Sequence, residues 1–106
     1  MPSSKAKHCS YQLKDGSYCQ EDPLQQGGYC FWHDPTIDKT SPEIKDALEK
    51  QLKEGKSLEG YSLTYADLEN ANLVEADLSN ADLSHANLKN GHLYHSNLSG
   101  ANLLKA

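Results

Sequence analysis

No arginine occurs among the 106 residues, so all ten basic side chains are lysines, set against fifteen acids for a net charge of -5. Nucleic-acid readers generally present a basic, arginine-bearing face, and this balance argues against one. Long apolar runs are missing as well. The lysines of the first ten residues come with no apolar stretch behind them, so neither a secretory leader nor a membrane span is expected. Hydrophobic residues make up 37% of the chain and mean hydropathy is -0.75, with one Phe, one Trp and one Met. A chain so poor in large apolar side chains needs a repeat stack, a metal or a partner to offset its entropy. Three cysteines leave one unpaired if disulfides form, which suits a reducing compartment, and the cytoplasm is the expected location. No nucleophile–base pair stands out, so the chain is not expected to be an enzyme.

What is present falls into three segments. Residues 1–40 are rich in Gly and Pro, hold Cys9, Cys19, Cys30 and Trp32, and read as a loop-like module with turns at Asp15-Gly16 and Gly27-Gly28. Residues 41–55 carry a helix signature, predicted over Ser41–Glu54. Ser41 is placed to cap the N-terminus, Pro42 suits the first turn, Glu43 complements the dipole, and Gly55 is a natural stop. Ile44, Leu48 and Leu52 form one narrow apolar stripe.

Residues 56–106 repeat. Leucine recurs every fifth residue from Leu63 to Leu103 without a miss. A small residue stands two before most of these leucines, as at Ala66, Ala71, Ala76, Ala81 and Ala86. Asp or Asn stands directly before seven of the nine, with Ser62 and His92 the departures. A period of five fits neither an α-helix, where leucines would smear round the cylinder, nor a flat strand, where they would alternate faces. It fits a chain that bends once per five residues, turning each Leu inward and stacking coil on coil. The Asp/Asn side chains are suited to hydrogen-bond the turn backbone.

Units such as Ala66-Asp67-Leu68-Glu69-Asn70 and Ala81-Asp82-Leu83-Ser84-His85 resemble the pentapeptide repeat family. The resemblance implies a mainly β fold, a right-handed quadrilateral parallel β-helix with four pentapeptides per coil. Residues twenty apart, such as Leu63, Leu83 and Leu103, would then stack. The 41–55 helix is expected to cap the first coil of this solenoid. Leu83 is expected inside and Ser84 in solvent.

Cys9-x9-Cys19-x10-Cys30-x2-His33 offers three thiolates and an imidazole, a full tetrahedral set for structural Zn2+. Such a closed shell leaves no position for a substrate. For a segment with few apolar side chains, the ion would supply folding free energy on the order of 10 kcal/mol. His8 is a rival fourth ligand. The segment resembles small Cys3His modules and matches the ligand spacing of the Trp-Arg-Cys domain of plant growth-regulating transcription factors. Ser17-Tyr18 replace that family's Trp-Arg, and no basic flank is present, so only the metal ligands carry over. His85, His92 and His95 are read as surface residues.

The function these features point to is a non-catalytic interaction or scaffold module with an unidentified protein partner. A homodimer through the C-terminal coil is a further expectation, since an open last coil would leave Leu93, Leu98 and Leu103 partly wet. Two alternatives follow from the resemblances. One is a DNA-mimic-like binder of DNA gyrase or topoisomerase, permitted by the acidic balance of residues 56–106. The other is nucleic-acid binding through the Cys3His module.

Overall fold

The computed structural model describes residues 8–25 and 28–106; residues 1–7 and Gly27 of the second expected turn lie outside that range. The chain divides between Ile37 and Asp38 into two compact units.

In the second unit the repeat folds by bending once per five residues. Gly60 and every fifth residue after it, through Lys105, has φ between 56° and 73°. Each of these sits third in a four-residue turn closed by a Leu carbonyl, as in Ala66 N–H to Leu63 O (3.1 Å) and Ala81 N–H to Leu78 O (3.0 Å). A positive φ at that place is what a type II-like turn requires, and Gly60, Asn70, Asn80, Asn90 and Gly100 meet it with the residue types that tolerate it best. The acid or amide before each Leu then ties down the turn. Its Oδ1 accepts the N–H two residues on at Asp67, Asn72, Asp77, Asp82, Asn87, Asn97 and Asn102, over 2.9–3.3 Å.

Successive coils pair at an offset of twenty residues. Ser62, Asp67, Asn72, Asp77 and Asp82 form parallel bridges with Asp82, Asn87, His92, Asn97 and Asn102. Each is flanked by bonds such as Leu63 N–H to Asp82 O and Tyr65 N–H to Ser84 O. The stacking of residues twenty apart is therefore as expected. The mainly β fold, the right-handed quadrilateral parallel β-helix inferred from the resemblance, is not. Among the described residues the one regular element is a helix, and every β pairing is an isolated bridge outside any strand or sheet. The reason lies in the period. A turn that closes every five residues leaves one bridging residue per side, too few for a continuous ladder.

Leu58, Leu63, Leu68, Leu73, Leu78 and Leu83 are at most 1% exposed, with Ala66, Ala71, Ala76, Ala81 and Ala86 buried beside them. Leu88, Leu93 and Leu98 are only half-buried and Leu103 is exposed. Ser84, expected in solvent, is buried, because its hydroxyl donates to Asp82 at 2.7 Å and is drawn in against the turn.

Helix α1 spans Glu43–Lys53, shorter by two residues at its start than the sequence suggests. Ser41 accepts the Glu43 N–H at its Oγ (3.3 Å) and the Ile44 N–H at its carbonyl (3.0 Å). Gly55, at φ 80°, ends the helix, with its N–H bonded to Leu52 O and the Lys56 N–H to Gln51 O. Ile44 and Leu48 are buried. Three side chains join α1 to the first coil: Lys45 donates to Glu69 O, Glu49 accepts the Asn72 N–H at 2.7 Å, and Gln51 accepts the Tyr61 hydroxyl. No helix among the described residues is long and apolar enough to cross a membrane.

Candidate metal centre

The first unit is organised by a hairpin and a single helical turn. Asp15 accepts the Ser17 N–H (2.9 Å) and hydroxyl (2.6 Å), and these bonds hold its carboxyl below the usual range. Gly16, at φ 96°, completes the reversal where a side chain would be strained. The two arms of the reversal are zipped by Leu13 N–H to Ser17 O, Cys19 N–H to Tyr11 O and Cys9 N–H to Glu21 O. That register sets Cys9 and Cys19 on facing arms. The third and fourth donors come from one turn: the His33 and Asp34 N–H groups both bond Cys30 O, which brings the Cys30 and His33 side chains together.

The Sγ atoms of Cys9, Cys19 and Cys30 and a ring nitrogen of His33 lie within 4.8 Å of one another, and all four residues are buried. His33 Nδ1 is 3.4 Å from Cys9 Sγ and 3.3 Å from Cys30 Sγ, and Cys19 Sγ is 4.0 Å from Cys30 Sγ. No disulfide joins the sulfurs. The spacing thus brings together the four residues it singled out. His8 is not among them: its Nδ1 meets the Cys9 carbonyl and its ring packs near Tyr18.

Burial pushes the Cys30 thiol up to about 12 and raises the Cys19 thiol too, with repulsion from neighbouring sulfurs adding to both. Without a cation, three thiolates would not be held together here. Partial compensation is built in, since the Tyr11 and Cys30 N–H groups point at Cys9 Sγ over 3.4 and 3.2 Å. Tyr11 also lies flat against the His33 ring. Neither role of Tyr11 is signalled by the spacing of the ligands. The cluster can hold a metal ion, closed on all sides by protein donors.

The other sequence candidates separate. Phe31 and Trp32 meet edge to face at 5.1 Å within the turn. His85 stacks on Tyr65 at 4.5 Å and His95 tilts against Tyr94. Among the described residues no second group of metal-ligating side chains forms.

No curated protein and no solved structure matches the chain. Residues 57–90 match the family model for pentapeptide repeats, in eight copies, so this stretch is built of that repeat.

Proposed function

We propose that the chain is a non-catalytic protein-interaction module, in which a structural Zn2+ holds the first unit and the repeat supplies a fixed surface. The observation that carries the reading is the closed, buried Cys3His set in a chain that also carries a hydrogen-bonded repeat. A tetrahedral zinc with bonds of about 2.3 Å to sulfur and 2.0–2.1 Å to nitrogen separates its ligands by roughly 3.5–3.8 Å. Three of the six donor separations, at 3.3, 3.4 and 4.0 Å, lie close to that shell, and all six are within 4.8 Å. Soft thiolates with one imidazole favour zinc over hard cations such as magnesium or calcium. Four protein ligands leave no position for a substrate, so zinc here would fold the module and not activate water. Reduced, unpaired cysteines suit a cytoplasmic setting.

Charge supports this reading over imitation of a duplex. The acids of the repeat end at Asp82, so no acidic column continues through residues 83–106.

Affinity capture with the intact protein, followed by reconstitution with the purified candidate, tests the proposal. A saturable complex that survives nuclease supports it. A salt-sensitive shift of duplex DNA or RNA by the protein alone would replace it with nucleic-acid binding.

A further inference from the structure

The three sulfurs of the metal centre are not equivalent. Cys9 is 0% exposed and its Sγ is turned onto main chain, accepting the Tyr11 N–H at 3.4 Å and the Cys30 N–H at 3.2 Å. Cys19 is the most open of the three at 8%, with Cys30 at 2%. The Cys19 and Cys30 sulfurs lie 4.0 Å apart, in contact.

The backbone decides which two can be joined. Cysteines whose Cα atoms are more than about 7 Å apart cannot form a disulfide without moving the chain. Cys9 and Cys19 do not oppose each other across the reversal, since Cys9 bonds Glu21 and Cys19 bonds Tyr11. They are diagonal neighbours, and such positions on antiparallel arms lie roughly 7–8 Å apart. Joining Cys9 to Cys30 would draw Cys9 Sγ away from both of its main-chain donors. Cys19 and Cys30 meet neither obstacle. Cys19 sits on one arm and Cys30 opens the turn that carries His33, while the Leu24 N–H bond to Tyr29 O (2.9 Å) doubles back the chain between them. Closing their sulfurs from 4.0 Å to the bonded distance of about 2.0 Å is a side-chain movement.

We infer that Cys19 and Cys30 are a peroxide-responsive pair, whose oxidation joins them in a disulfide and dismantles the Cys3His site. This rests on the zinc reading above and adds a means of unloading it. Sulfurs that ligate zinc are thiolates, and the thiolate is the nucleophile. The Cys19 thiolate, the more accessible, attacks one oxygen of hydrogen peroxide. The S–O bond forms, the O–O bond breaks and hydroxide departs. The Cys30 thiolate then attacks the Cys19 sulfur, so that the S–S bond forms, the S–O bond breaks and a second hydroxide leaves. The two sulfurs lose two electrons, the peroxide gains them, and two solvent protons turn both hydroxides into water. Two of the four donors are then gone, and Cys9 with His33 cannot complete a tetrahedral shell. A thiol reductant reverses the bond, which suits a reducing compartment where disulfides are transient.

The test treats the zinc-loaded, 106-residue protein with hydrogen peroxide and reads released metal with a chromophoric chelator too weak to strip the untreated protein. Trypsin separates the candidate pairs. Cleavage after Lys7, Lys14 and Lys39 leaves Cys9 in residues 8–14 and both other cysteines in residues 15–39. Expected is one zinc released per disulfide, with the bond inside peptide 15–39 and Cys9 still open to alkylation. Reductant and added zinc should restore the loaded protein. Peptide 8–14 joined to 15–39, or sulfinic acid on Cys19 with no disulfide, would overturn the pairing. Zinc that stays bound after the pair has closed would overturn the unloading. Zinc retained with all three thiols unchanged would overturn this inference alone, whereas protein that takes up no zinc would overturn the zinc reading with it.

Discussion

The ring of Tyr11 lies on the imidazole of His33 with centroids 4.2 Å apart and planes within 2° of parallel. His33 supplies the single nitrogen of the donor cluster, so its ring orientation decides whether Nδ1 faces the sulfurs. Tyr11 is itself fixed, since its carbonyl accepts the Cys19 N–H and its own N–H reaches Cys9 Sγ. Tyr11→Ala should therefore weaken zinc retention by roughly tenfold, the usual scale for residues that orient a ligand. Tyr11→Phe should restore it. Competition with a chromophoric chelator measures both, and equal affinities for the Ala and Phe variants would show that the stack positions nothing.

Metal binding should be linked to protons in a defined direction. Buried Cys19 and Cys30 have raised pKa values, Cys30 to about 12, so both are protonated at neutral pH without metal. Zinc binds thiolates and must displace those protons, so its affinity should rise with pH through neutrality and fall in acid. Calorimetry in buffers of different ionisation enthalpy should register the release. Chelation should unfold residues 8–34 and leave the amide pattern of the repeat in place, and collapse of both together would contradict a separate first unit.

Much of this arrangement could be read from the residues. A leucine every fifth place has few ways to avoid water, and the metal quartet followed from donor type and spacing. Asp and Asn before each Leu bond the turn as their chemistry suggests. Strand content did not follow, because a count of inward residues says nothing about how many consecutive backbone pairs a five-residue turn leaves. Ser84 shows a second limit. Its polarity suggested solvent, while its bond to Asp82 allowed burial.

That difference changes the expectation for mutations in the middle of the stack. Leu83 is fully buried, and Leu83→Ala should cost about 2–5 kcal/mol. Ser84→Ala removes a partly buried bond to Asp82 and should cost about 0.5–1.5 kcal/mol, more than a surface change. Denaturant melts of both variants give the order, and a larger loss at Ser84 would reverse the inward assignment of the leucines.

Lys39 is 1% exposed, an unusual burial for an ammonium group, and its Nζ donates to Ser62 O at 2.8 Å. The carbonyl belongs to the edge that no earlier coil can pair. Lys39→Met keeps the apolar stem and removes the donor, leaving that carbonyl unmet in a buried setting. A loss of about 1–3 kcal/mol is expected, with faster amide exchange at Ser62 and Leu63. An unchanged melt would mean that water replaces the ammonium without cost.

The left-handed corners supply a change in the opposite direction. At ten successive corners the backbone has positive φ, but only some are occupied by Gly or Asn; Glu75, at φ 63°, is exposed and has no branch that favours this conformation. An L-residue other than Gly, Asn or Asp there carries a strain of about 1–2 kcal/mol, of which Asn relieves a part. Asn70 and Asn80 show that the same corner accepts Asn on either side in sequence. The Glu75 N–H bond to Tyr94 O is a backbone contact and survives the exchange. Glu75→Asn should therefore stabilise the repeat by a few tenths to about 1 kcal/mol, and Asn80→Ala should destabilise it by a similar amount. Paired thermal melts check both signs. If Glu75→Asn melts lower than the parent, the strain at this corner is being offset by the Glu75 side chain and not borne by the fold.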